Sequence, residues 1–102
     1  MSGESAYEFE WDDAKAASNL VKHGVDFNET MSVFLDPLVM TRYDDEHSDE
    51  EERWVSLGRA QNGKLLVVIH TFSATGPSTA LVRVISARQP TKREREQYEQ
   101  QH

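Results

Sequence analysis

The chain has 102 residues, 37% of them hydrophobic and 28% charged, which fits one small soluble domain and excludes a multidomain enzyme or a membrane-spanning bundle. Its 11 Lys and Arg against 18 Asp and Glu leave a net charge of −7, which as a total points away from nucleic acid. Cysteine is absent, so disulfides, thiolate nucleophiles and Cys-rich zinc frameworks are excluded together.

The opening MSGESAYEFEW has no basic stretch followed by an apolar one, and no apolar run approaches ~20 residues, so a cytoplasmic protein with no secretory signal is expected. Residues 1–8 are expected to be disordered. Phe9 to Trp11 read as a brief strand, and Asp12 is a suitable N-cap for a helix from Asp13 to His23 that Gly24 ends. On that helix Ala14, Ala17 and Val21, with Leu20 beside them, predict the buried stripe, which places Lys15, Asn19, Lys22 and His23 on the polar side.

Asp26 with Glu29 makes a capping box, and Phe27, Met31 and Phe34 predict the apolar face of a second, shorter helix that Asp36 and Pro37 terminate. Leu38 to Tyr43 can form a strand. Asp44 to Glu52 carries seven carboxylates in nine residues and is expected to be a solvated loop or a single helical turn. From Arg53 the period becomes that of strands. RWVSLGR and LLVVIHTF flank an Asn62-Gly63 turn, and ALVRVISAR follows a loop read as Ser73 to Thr79, which together predict a three-strand antiparallel meander with Leu65–Ile69 at its centre. Thr91 and Glu94 form a second capping box, which opens a polar C-terminal helix whose one large apolar-bodied residue is Tyr98.

The charge is unevenly distributed. Residues 1–52 hold 15 acidic and 3 basic side chains, a balance of −12, whereas residues 53–102 hold 3 and 8, a balance of +5. Local fields steer ligands, so the second half can accept an anion despite the acidic total, and the first half can meet a basic partner.

Taken in order, FEWDDAKAASNLVKHGVDF, VFLDPL, HSDEEERWVSLG, LLVVIHT and VRVISARQPTKREREQYE resemble the BrnT family of type II toxin-antitoxin toxins over residues 9–99. The resemblance implies a single domain over 1–102 with a RelE-like α+β fold: N-terminal helices on a small antiparallel sheet, with short N-terminal strands and a C-terminal helix. It also implies a metal-independent endoribonuclease that cuts RNA, inhibits translation and uses no cofactor. The implied partner is a BrnA-like ribbon-helix-helix antitoxin, and DNA is reached only through the toxin-antitoxin complex. Two departures stand out: Asp13 occupies the position of a usual proline, and the loop Ser73–Thr79 reads as longer than the usual connection and lacks its charges.

Metal-free RNA cleavage needs a base for the 2′-hydroxyl, cations for the phosphorane and an acid for the leaving oxygen. Arg88, Arg83 and Arg53 offer planar forks for phosphate oxygens, with Arg95 nearby on the last helix. Arg83 and Arg88 are five apart on one strand, so strict alternation puts them on opposite faces unless a bulge intervenes. Glu94 and Tyr98, one helical turn apart, are placed to orient Arg88, or all three simply fasten the last helix to the sheet. Lys22 and His23 close the first helix, where its dipole favours cations, and are candidates for phosphate binding and proton transfer, although basic residues are also ordinary there.

His70 ranks behind them as a strand histidine. Arg53 shares a face with Val55 and Leu57, so it either meets substrate or lies half-buried in an ion pair. Trp11, Trp54 and Tyr98 can stack on bases or fill the core. His47 among Asp44, Asp45 and Asp49 lacks a metal-site spacing, and no metal site is expected. The alternative from another class is a catalytically inactive toxin-fold module that binds its partner as co-repressor.

Overall fold

A computed structural model describes residues 6–47 and 51–101. The elements run β1 (Ala6–Glu10), α1 (Asp13–His23), α2 (Phe27–Thr30), a 3-10 segment (Met31–Leu35), β2 (Met40–Tyr43), a 3-10 turn (Asp45–His47), β3 (Trp54–Arg59), β4 (Leu65–Gly76), β5 (Thr79–Arg88) and α3 (Lys92–Glu99). They form one five-stranded sheet in the order β1-β5-β4-β3-β2. The meander β3-β4-β5 is antiparallel as the sequence predicts, but β1 pairs with β5 in parallel, so the sheet is mixed. Residues 6–8, expected to be disordered, belong to β1.

β4 is central, and its residues 65–70 are covered on both faces, which explains their nearly unbroken apolar run. Leu66 and Val68 join Val82, Val84 and Ala87 of β5 beneath Val25, Phe27 and Val33 of the N-terminal segments. Leu65 and Val67 meet Val55, Leu57 and Tyr98 on the opposite face, under α3. The two faces are therefore clad by different parts of the chain.

The local signals are realised. Asp12 accepts from the Ala14 and Lys15 amides, and Gly24 closes α1 in the left-handed region at φ 69°, where an L side chain is disfavoured. Both capping boxes form. Gly63, at φ 91°, supplies the left-handed residue that lets the β3–β4 turn close, with the Gly63 amide donating to the Ala60 carbonyl.

Three expectations are corrected. The loop read as Ser73–Thr79 is mostly strand: β4 runs to Gly76 and β5 starts at Thr79, which leaves a tight two-residue connection. The stripe of α1 is reversed, since Val21 is 88% exposed and Leu20 49%, while Asn19 is buried. Asn19 Nδ2 donates to the carbonyls of Val25 and Ala87 at 3.0 and 2.9 Å, and its Oδ1 accepts from the Ala87 amide at 3.1 Å. A fully satisfied amide thus docks α1 where apolar periodicity pointed elsewhere. The second helix shortens to α2 and passes into the 3-10 segment: of the i, i+4, i+7 set Phe27 is buried and Phe34 packs half-buried against the same core, and Thr30 and Val33 are buried besides.

Candidate active site

Alternation and register place the arginines. On the α3 side of the sheet Met40 pairs with Leu57, Leu57 with Val67, and Val67 with Arg88. The adjacent row runs from Arg42 through Val55 and Ile69 to Ser86. Beyond it Thr71 pairs with Arg83, while Arg53 directly precedes the Trp54–His70 pair.

Arg83 and Arg88 share this face because Ile85 is an extra residue. β4 and β5 pair as Ile69↔Ser86 and His70↔Val84, so Ile85 is skipped and the parity of alternation flips. The core confirms the flip: Val82, Val84 and Ala87 all point into the same cluster although 84 and 87 are an odd number apart. The bulge that the sequence left open is what brings the two arginines together.

Arg42, Arg53 and Arg88 line an open cleft of about 450 Å³ with Val55, Ile69, Ile85 and Ser86 at its base and Tyr43, Asp44, Asp45 and Glu46 along one wall. Arg88 is held by Glu94 in a bidentate pair, Nη1–Oε1 2.8 Å and Nη2–Oε2 3.0 Å. The Arg88 fork holds the Glu94 carboxyl down at about 2, and Glu94 in turn pushes the Arg88 guanidinium further up. Glu94 also accepts from the Thr91 amide at 2.9 Å, so one carboxylate caps α3 and aims Arg88. Arg83 pairs with Glu51, whose other oxygen lies 3.7 Å from Arg53 Nη2.

The acidic segment is not simply solvated. Asp44 is buried and its amide donates to the Arg53 carbonyl at 2.9 Å, and Asp44, Asp45 and Glu46 face the cleft. The His47 side chain and residues 48–50, and with them Asp49, lie outside the described residues.

Other candidates fall elsewhere. Lys22 and His23 are exposed at the end of α1 and do not line the cleft, and Arg95 is exposed on α3. Tyr98 does not reach Arg88. Its hydroxyl donates to Asp36 Oδ2 at 2.5 Å, and Arg59 stacks over its ring at 5.5 Å. Burial would raise the Asp36 carboxyl, but the bonds from Tyr98, the Arg59 amide and the Leu38 amide outweigh it and hold it below the usual range.

His70 is buried on the opposite face. Its Nδ1 donates to the Thr71 carbonyl at 3.0 Å, which leaves Nε2 to accept from Ser56 Oγ at 2.8 Å, and burial pushes its pKa down. Trp11 packs edge-on to Phe27 and Trp54 edge-on to Tyr43, neither lining the cleft. Arg42 was missed. Its signal was only the alternation of Met40 and Arg42 against Thr41 and Tyr43 in a four-residue strand, which is legible only once Arg42 is registered on Val55.

An arginine-lined cleft over an apolar sheet floor suits an anionic polymer. The family model described as the ribonuclease toxin BrnT of a type II toxin-antitoxin system matches residues 11–94. This chain belongs to the BrnT family. It is similar to the Brucella abortus ribonuclease toxin BrnT, known from a 1.1 Å crystal structure, with 26% identity and a TM-score of 0.55, covering 86% of this chain and 100% of that one. A search of curated proteins finds no match. A BrnT family member has an antitoxin and an RNA target as its expected counterparts, and this one carries the mixed α+β sheet and three helices of the fold. No helix among the described residues is long and apolar enough to cross a membrane.

Proposed function

We propose that this BrnT family member is an endoribonuclease that binds RNA across the arginine face, cuts it without a metal ion and thereby inhibits translation in the cytoplasm. The observation that carries the reading is the convergence of Arg42, Arg53 and Arg88 on one cleft, with Arg83 on the same face. Guanidiniums held in place before substrate arrives stabilise the charge that grows on a phosphorane without reorganising at the moment of reaction. Arg88 is the chief of them, because Glu94 fixes its plane and a third of its side chain stays exposed.

Glu94 serves as positioning residue. Proton transfer falls to the wall carboxylates Asp45 and Glu46, since Lys22, His23 and His70 do not line the cleft. The reading includes neutralisation by a BrnA-like ribbon-helix-helix antitoxin, with operator DNA met only through that complex. The 73–79 loop that reads as longer than usual is a tight turn, so no feature of that hairpin favours the inactive alternative.

The test is induced expression of wild type and Arg88→Ala in a host without the antitoxin, with primer extension of total RNA, repeated on purified protein in chelator. Wild type should arrest growth and cut RNA with chelator present, and Arg88→Ala should lose about 100-fold or more in cleavage rate. Undiminished cleavage by the variant rejects Arg88, and absence of cleavage by wild type rejects the nuclease.

A further inference from the structure

We propose that Glu51 holds the place of an RNA phosphate on Arg83 and Arg53, so that RNA reaches this end of the arginine face by displacing a carboxylate of the chain itself. The inference rests on the ribonuclease reading and adds to it a built-in competitor at a defined pair of cations.

The geometry is specific. Arg83 faces Thr71 from β5, and Arg53 leads into β3 on the other side of β4, so their guanidiniums approach one another over the central strand. Glu51 lies between them: one carboxylate oxygen accepts from Arg83 Nη2 and the other is 3.7 Å from Arg53 Nη2. Two oxygens sharing one negative charge between two forks is the arrangement a bridging phosphodiester would take. Asp44, Asp45 and Glu46 likewise line the cleft beside Arg42 and Arg88. Acidic chain therefore runs along the path assigned to an acidic ligand.

Exposure makes displacement feasible. The side chains of Glu51, Arg83 and Arg53 are 38%, 42% and 31% exposed, so solvent screens the pair and its loss is easily offset. A carboxylate that only braced the fold would be expected in a drier setting. This one blocks ligand at small cost to stability.

The test measures binding of a labelled single-stranded 2′-O-methyl RNA, which cannot be cleaved, to wild type, Glu51→Gln, Arg83→Ala and the double variant across a salt series. Glu51→Gln should bind about two- to fivefold tighter than wild type, the range of one exposed ion pair. Its logarithmic salt slope should stay close to that of wild type, because RNA reaches the same arginines in both. Arg83→Ala should weaken binding and abolish the gain from Glu51→Gln. Urea melts of Glu51→Gln should match wild type, which separates release of a competitor from loosening of the fold. Should Glu51→Gln bind no tighter while Arg83→Ala still weakens binding, the displaced carboxylate is rejected and the arginine face stands. Arg53→Ala and Arg88→Ala are measured alongside, and binding indifferent to Arg83, Arg53 and Arg88 alike overturns both.

Discussion

The hydroxyl of Tyr98 shows how one bond reassigns a residue. By sequence it sits one helical turn from Glu94 and is placed to orient Arg88, yet it donates to Asp36 at 2.5 Å and carries Arg59 over its ring. Asp36 also accepts from the Arg59 and Leu38 amides at 2.7 and 2.9 Å, so Tyr98 ties α3 to the chain between the 3-10 segment and β2. Of the two helical residues, Glu94 is the one that holds Arg88. Tyr98→Phe removes the hydroxyl and leaves the ring, so it should lower stability by about 1.5–3 kcal/mol, the worth of a hydrogen bond to a charged group. It should leave RNA cleavage unchanged. Urea denaturation and a cleavage assay on the same preparation check both, and a large fall in rate at unchanged stability would return Tyr98 to the site.

At the scale of elements, local chemistry was legible and its long-range use was not. Capping boxes, the Asn-Gly turn and the apolar run of β4 are written within a few neighbouring residues, and each forms where expected. The parallel pairing of β1, the bulge at Ile85 and the seating of α1 each depend on partners tens of residues away, which periodicity cannot see. The candidate site divided the same way: Arg53, Arg83 and Arg88 could be picked by chemistry, but their common face required Ile85 and Arg42 required the β2 register. Helix α1 makes the sharpest test. Asn19→Ala strands the Ala87 amide and two carbonyls in a buried setting and should cost about 3 kcal/mol, whereas Val21→Ser on the stripe that periodicity favours should stay within about 0.5 kcal/mol. Urea midpoints of the two variants decide between the orientations, and the reverse order would restore the apolar stripe as the buried one.

Across the whole molecule the division of charge does not become two separate faces. The acidic stretch of the first half turns back onto the arginines of the second, with Glu51 on Arg83 and Asp44 to Glu46 along the cleft. Acid should weaken the fold in two stages, beginning well above the usual carboxylate range, through groups away from that acidic stretch. Burial lowers the pKa of His70 from 6.5, so the unfolded chain takes up a proton that the folded one refuses. That contribution is complete above pH 6.5 and falls as the pH drops through it, with a slope of at most about 1.4 kcal/mol per pH unit for one proton. Glu94, drawn from 4.5 to about 2 by Arg88, has the opposite preference in charge but the same direction of loss, fully present above pH 4.5 and gone toward 2. Glu29 and Asp36, both lowered, add to this second stage. Urea midpoints between pH 8 and 3 should thus decline first below 6.5 and again below 4.5. His70→Gln, which carries no titrating proton, should flatten the first decline relative to wild type, and Glu94→Gln should shrink only the second. Parallel wild-type and His70→Gln profiles between pH 8 and 5 would mean that His70 is not held neutral against Ser56, and the early loss of stability would have to come from another group.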